Sequence, residues 1–391
     1  MDLDIVERYL LLGLRLGRHI DGFVDAYYGP PDLAEQVMSE QPMAPAQIAR
    51  EAAALRNALT ALDDPQRARW LSAQLDGIAA SAERLDGQPI TYIEEIRRCY
   101  GIVPEPATEG ELADAHLELE KIVPGTGPLR QRYLEWRRAH ELPPDAIVPA
   151  LEAINRELRA RTKALYGLPE GEAVDLELVS NQPWGGFNYY LGGLRSRIAI
   201  NTDIPIRRQV LVLLAAHEAY PGHHTEHSWK EALLVRDRVF REESIFLIGT
   251  PQSLIAEGIA TYALEALGAE AEYACAALLA DMGWGYDVAL SRAVRRVERR
   301  LSRAWHNVAL MVHEYRRDVD EARAFASRWL LDSEEEIAKR FEFVLHPVWR
   351  AYIVIYDAGE RLVEAWTDGD PRRYRRLLTE QLTTSDLSWI K

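Results

Sequence analysis

Residues 217–227 read His217-Glu218-Ala219-Tyr220-Pro221-Gly222-His223-His224-Thr225-Glu226-His227, which places four of the chain's ten histidines within eleven positions. An imidazole followed at once by a carboxylate opens the H-E-x-x-H pattern. In that pattern two histidines one helical turn apart share a metal and the glutamate serves as a base. Here Pro221-Gly222 is placed where the second histidine is usually expected. In an unbroken helix His223, at i+6, points to the wrong side. His224, at i+7, sits on the right face but about 10 Å along the axis, too far for zinc–nitrogen bonds of about 2.0–2.1 Å. Proline removes a donor and glycine tolerates unusual dihedrals, so the pair predicts a bulge or kink that swings a later histidine back towards His217. If the bulge absorbs both extra residues, His223 becomes the second ligand; His224 is its rival.

The run before the motif, Val210-Leu-Val-Leu-Leu-Ala-Ala216, is apolar and leads straight into His217 and Glu218. That predicts a buried wall rather than a solvated helix end. A third ligand is sought downstream. Ser253-Leu-Ile-Ala-Glu-Gly-Ile-Ala-Thr-Tyr-Ala-Leu-Glu265 has a helical pattern, with Glu257 among small and apolar residues. A glutamate on such a stripe is costly to bury without a cation, and a metal would supply one. Glu265, two turns on, is read as a supporting or an exposed carboxylate.

Together, His217-Glu218-Ala-Tyr-Pro-Gly-His223-His224 and Glu257-Gly258-Ile-Ala-Thr-Tyr262 resemble the bacterial proteins called domain of unknown function 885. The resemblance, carried mainly by residues 180–360, implies a zincin-like, gluzincin-type metallopeptidase: a mainly α fold with a small antiparallel sheet (α+β). It implies zinc held by His217, His223 and Glu257, with Glu218 as the base. Such sites place a tyrosine opposite the metal to donate to the oxyanion. Tyr356, in the Tyr-x-x-Gly of Tyr356–Gly359, fits that motif, with Tyr352 one turn earlier as the alternative. They also present an edge strand to an extended peptide, and the segments 187–191 and 194–201 flanking Gly192-Gly193 form the candidate hairpin. A strand is also expected at 175–179. Asp203 is expected to cap the next helix, with Pro205 in its first turn.

The rest of the chain sets the context. Residues 3–165 read as amphipathic helices punctuated at Gly29-Pro30-Pro31, Gln41–Pro45, Pro104-Glu-Pro106, Pro124–Pro128 and Pro143-Pro144. The aromatic and acidic stretch Asp21–Pro31 is expected to be an N-terminal helix end packed on the core, with the lining of a cleft as the alternative. Residues 1–170 are taken as a helical wall of the cleft and 171–391 as the catalytic region. Arg292, Arg295, Arg296, Arg299, Arg300 and Arg303 share a helical face, read either as a salt-bridged surface or as the source of a guanidinium for a substrate carboxylate. Ser333-Glu-Glu-Glu336 has capping-box form and opens a helix ending near His346-Pro347. Residues 370–391 read as a polar tail.

Of 391 residues, 48% are hydrophobic and 27% charged, the mix of a globular protein. A net charge of −15 argues against a nucleic-acid partner. The charged N-terminus and the lack of a long uncharged stretch point away from a signal peptide and a membrane partner. Cys99 and Cys275 read as reduced core thiols, which gives a cytoplasmic expectation. The expected function is zinc-dependent hydrolysis of short unstructured peptides, in carboxypeptidase or oligopeptidase style. A zinc hydrolase of another amide or ester, and a silent zincin-fold scaffold, are the alternatives. The oligomeric state is not legible.

Overall fold

The computed structural model describes residues 2–182, 184–347 and 349–387. Val348 of the C-terminal aromatic segment and residues 388–391 of the tail lie outside this set. The fold is mainly α with small sheets. Among the described residues up to Tyr166 stand eight α-helices: α1 (Asp2–Gly17), α2 (Pro31–Ser39), α3 (Pro45–Ala58), α4 (Pro65–Leu85), α5 (Tyr92–Tyr100), α6 (Glu109–Ile122), α7 (Leu129–Arg138) and α8 (Pro144–Tyr166). The proline clusters fall between them, with Pro31, Pro45 and Pro144 at the first helical position, where the missing N–H costs nothing.

Strands β2 (Ala173–Val179), β3 (Gly186–Gly192) and β4 (Arg195–Asn201) follow. Gly192 and Gly193, at φ 72° and 66°, turn β3 into β4 as an antiparallel hairpin. Strand β2 lies parallel on the other side of β4, so the order is β2-β4-β3 and β3 is an edge. After the sheet come α9 (Arg208–Glu218), α10 (His223–Lys230) and β5 (Ile245–Leu247). The remaining helices are α11 (Pro251–Ala266), α12 (Ala269–Asp281), α13 (Val288–Ser302), α14 (Ala304–His313), α15 (Val319–Trp329), α16 (Glu334–Leu345), α17 (Ile355–Thr367), α18 (Pro371–Thr379) and α19 (Thr384–Leu387). Helix α16 opens on the expected capping box at Ser333 and Glu336. No described helix is long and apolar enough to cross a membrane.

Three expectations are corrected. The stretch at 21–31 is not a helix end: it contains strand β1 (Val24–Tyr27), paired antiparallel with β5 over 200 residues away. Asp203 caps no helix, because α9 begins only at Arg208; its carboxylate instead accepts from the Gln182 N–H at 3.3 Å. The tail contributes to the core, since Tyr374 of α18 is fully buried.

Two apolar cores form. One gathers residues of α1–α4 and is closed by Ile245 and Leu247 of β5. The other holds the sheet and the helices from α5 onward. Cys99 and Cys275 are buried free thiols, as expected.

Candidate metal centre

Helix α9 is anchored by Leu211, Val212, Ala215 and Ala216, all buried, and this apolar run delivers His217 and Glu218 at its C-terminal end. The helix then breaks. Ala219 leaves helical geometry at φ −118°, ψ −83°, the Tyr220–Pro221 peptide is cis, and α10 restarts at His223. The Gly222 N–H reaches the Ala216 carbonyl at 2.9 Å, and the Thr225 N–H reaches the Ala219 carbonyl at 3.3 Å. Each bond spans six residues where an α-helix spans four, so two extra residues are looped out and the helical path resumes. Gly222 is needed for this turn: a Cβ there would stand 1.9 Å from the His217 carbonyl oxygen.

The loop puts His223, not His224, beside His217. Their rings stand 4.8 Å apart and nearly perpendicular. Glu257 arrives from α11, which packs on α17 backbone to backbone. A Cβ on Gly258 would meet the Gly359 carbonyl oxygen at 2.3 Å, and a Cβ on Gly359 would meet the Leu254 carbonyl oxygen at 2.5 Å. The Glu257-Gly258 and Tyr356-x-x-Gly359 pairs are thus two halves of one helix crossing, which sets Glu257 against Tyr352 and Tyr356.

Nε2 of His217 lies 3.5 Å from Oε2 of Glu257, and Nε2 of His223 lies 3.6 Å from Oε1. One donor atom from each of the three residues falls within 4.8 Å of the others. Two ligands at about 2.0–2.1 Å from a tetrahedral zinc stand ~3.3–3.5 Å apart, so these separations suit a shared ion. Oε2 of Glu257 is buried with no hydrogen-bond partner, a costly state for a carboxylate oxygen that a cation relieves. Two imidazoles and one carboxylate form a donor set that zinc takes readily.

The electrostatics carry the same imprint. Burial, aided by the neighbouring His223, pushes His217 down to about 4. Burial acts against charge on His223 too, but Glu257 beside it prevails and raises it to about 9. Glu257 is held below its usual range, its own burial outweighed by His223, His217 and the Tyr352 hydroxyl. Glu218, its Oε1 3.9 Å from Nε2 of His217, is driven up to about 8 by burial and by Glu257 and Asp25. A cation on the three donors favours ionised Glu218.

The two tyrosines divide. The Tyr352 hydroxyl donates to Oε1 of Glu257 at 2.6 Å, fixing that carboxylate. Tyr356 is within electrostatic reach of both Glu257 and Glu218, and no hydrogen bond engages its hydroxyl among the described residues. Asn188 of β3 donates to the Glu218 backbone carbonyl at 2.6 Å, clamping the strand to the helix end. Gly186 of β3 lies close enough that a Cβ would come within 3.0 Å of Oε1 of Glu218.

His224 turns the other way. Its Nδ1 meets Ser196 Oγ at 2.8 Å and its Nε2 donates to Glu172 at 2.9 Å. Glu172 also accepts from Tyr220 at 2.6 Å and pairs with Arg159. Glu265, read from sequence as supporting or exposed, instead pairs with Arg292 and Arg295. The arginine row is a salt-bridged face: Arg292 and Arg295 also engage Glu272, Arg299 Glu360, Arg300 Glu118 and Arg303 Glu111.

Two residues near the centre escaped the sequence reading. Asp25 of β1 interacts electrostatically with His223 and Glu257. Tyr374 places its hydroxyl 3.0 Å from the Ile259 carbonyl and 3.3 Å from that of Pro221, bracing the looped segment. Asp25 lay in a stretch notable for acids beside aromatics; nothing in the sequence marked Tyr374.

No protein-family model matches the chain, and no curated protein matches it. Among solved structures, a chain from Colwellia psychrerythraea described as a "putative lipoprotein" is similar with a TM-score of 0.53. The match covers 91% of this chain and 68% of that one at 13% identity, a likeness of fold.

Proposed function

We propose that the chain is a zinc-dependent peptidase acting on short unstructured peptides. The observation that carries this reading is the ligand spacing: His217 and His223 stand 3.5 and 3.6 Å from the two oxygens of one buried glutamate. Zinc held there supplies a Lewis acid that polarises a scissile carbonyl and makes a water acidic near neutral pH. Glu218, one residue from a ligand and buried in the same wall, takes the proton of the attacking water and hands it to the leaving nitrogen. Tyr356 donates its hydroxyl to the carbonyl oxygen as negative charge develops there. Tyr352 holds Glu257 in the orientation that metal binding requires.

Strand β3 supports a peptide substrate. It is the outer strand of its sheet, no described strand pairs with its free side, and its Gly186 end abuts Glu218. An extended peptide adding to that edge passes the base, whereas a folded protein cannot offer its backbone without local unfolding.

The test is a peptide-library digest with zinc-loaded wild type and Glu218→Gln. Wild type should cleave. The variant should keep about one zinc per chain and lose about 10²–10⁴-fold in kcat/KM, since only the base is removed. Zinc binding without cleavage of any peptide would move the reading to a hydrolase of another amide or ester.

A further inference from the structure

Strand β1 pairs with β5 through Val24 to Leu247 and Ala26 to Phe246, so two steps along β1 match one along β5. Asp25 is the extra residue of this bulge. Bulges bend a strand and re-aim a side chain, and they recur beside active sites. The strand is pinned on both flanks. Val24 lies against Gly17 of α1, and Tyr28 packs on Tyr190 of β3 with ring centroids 5.2 Å apart. Phe246 of β5 meets the His227 ring of α10 at 5.1 Å. The ribbon therefore spans from the N-terminal helices to α10 and forms a wall beside β3.

From that wall the Asp25 carboxylate acts on His223, Glu257, Glu218, Tyr352 and Tyr356, five groups of the candidate centre. It is half-buried and makes no hydrogen bond or ion pair with any described residue. Its oxygens fall outside the compact group formed by the His217, His223 and Glu257 donors, so it is not a fourth ligand. A carboxyl so placed is pushed up to about 7 by burial and by Glu257, and a cation beside it would hold it ionised. Arg340 also acts on Tyr356, but its side chain is exposed to solvent, where a charge pair gains little. Of the arginine row that sequence offered as a grip for a substrate carboxylate, Arg292, Arg295, Arg299, Arg300 and Arg303 are engaged with glutamates, and Arg296 is exposed to solvent. The unpaired charge at this centre is negative, and it suits the amino end of a peptide.

We propose that Asp25 binds the free α-ammonium group of the substrate and makes the enzyme an exopeptidase working from the amino terminus. This rests on the peptidase reading above. The ammonium group partners the Asp25 carboxylate through a charge-assisted hydrogen bond, and the distance from Asp25 to the zinc ligands sets which peptide bond is cut.

The experiment separates binding from turnover. Zinc-loaded Glu218→Gln, which holds a peptide without cutting it, is titrated by calorimetry with one short peptide in three forms: free, N-acetylated and C-terminally amidated. Acetylation should weaken binding about ten- to a hundredfold, the worth of a hydrogen bond to a charged group, and amidation should change it less than threefold. Adding Asp25→Asn should bring the free peptide down to the affinity of the acetylated one. Zinc content and melting temperature check that this variant folds, and the acetylation comparison stands without it. With wild type, the acetylated peptide should show the same loss in kcat/KM. Equal binding and cleavage of free and acetylated peptides overturns the amine site and leaves the peptidase reading in place. A larger loss on amidation than on acetylation also overturns it, in favour of a carboxypeptidase. Absence of both binding and cleavage overturns the two together.

Discussion

His223 and His224 are neighbours in the chain and stand in opposite surroundings. His223 stands among His217, Glu218, Glu257 and Asp25, where charges are crowded and Oε2 of Glu257 has no partner. His224 is wholly buried, with Ser196 on one nitrogen and Glu172 on the other, and Glu172 is shared with Tyr220 and Arg159. Both clusters contain histidine and glutamate. The back cluster is complete as the chain folds, as buried polar groups must be if they are to stabilise. The front cluster is not, and a polar centre kept incomplete in a folded core is fitted to receive something. The two clusters differ in what remains unsatisfied, not in residue type.

Exchanging each histidine in turn breaks the comparison most directly. His223→Ala should lose stoichiometric zinc and with it all hydrolysis. His224→Ala should keep its zinc but lose about 1–3 kcal/mol of stability in urea unfolding, because Ser196 and Glu172 are left short of a partner in the core. Zinc retained by His223→Ala and lost from His224→Ala would reverse the assignment of the two sides.

The tyrosines sharpen the front side. Tyr356→Phe should lower kcat about 10²–10³-fold with zinc content unchanged, as loss of an oxyanion donor does. Tyr352→Phe removes only the support of Glu257 and should weaken zinc binding about 10–100-fold. Competition with a chelator reads the second effect and steady-state kinetics the first. If both variants behave alike, the division of labour drawn from the Tyr352–Glu257 bond is wrong.

The smallest effect belongs to the back side and to pH. Burial lowers the pKa of His224 despite Glu172, so the unfolded chain takes up its proton first. Its contribution to stability is complete above about pH 6.5 and is lost as pH falls below that value. Glu172, held low by His224 and Tyr220 against its own burial, adds the same sign of effect below about pH 4.5. Between these limits the stability of wild type should fall more steeply with acid than that of His224→Ala, by up to about 1.4 kcal/mol per pH unit. Parallel slopes in unfolding titrations would show that His224 is not held neutral by the fold.

Much of this was legible in the sequence where chemistry is local. The apolar run 210–216 ending in His217-Glu218, the isolated Glu257-Gly258, the Gly192-Gly193 hairpin and the Ser333 capping box each bring their cause with them. Backbone conformation and helix burial over a few residues follow from side chains a turn away. Even the position of His223 beside His217 was reachable, because the number of residues a Pro-Gly loop absorbs is a short-range question with two answers. Asp203 failed as a cap for the opposite reason: its carboxylate found the Gln182 N–H of a segment some twenty residues earlier.

The sequence by itself determined a mainly helical chain, the burial of the His217-Glu218 pair and the helix that carries Glu257. Only the tertiary structure decided that β1 would meet β5 across more than 200 residues with a bulge at Asp25, and that α17 would bring Tyr352 and Tyr356 onto Glu257 through Gly258 and Gly359. It also decided that five of the row's six arginines would pair with glutamates and that Tyr374 would brace the Pro221 loop. The reason is physical. Periodicity and capping act over neighbours in the chain, whereas a register, a close helix crossing and the partner of a long charged side chain depend on which distant surfaces pack together.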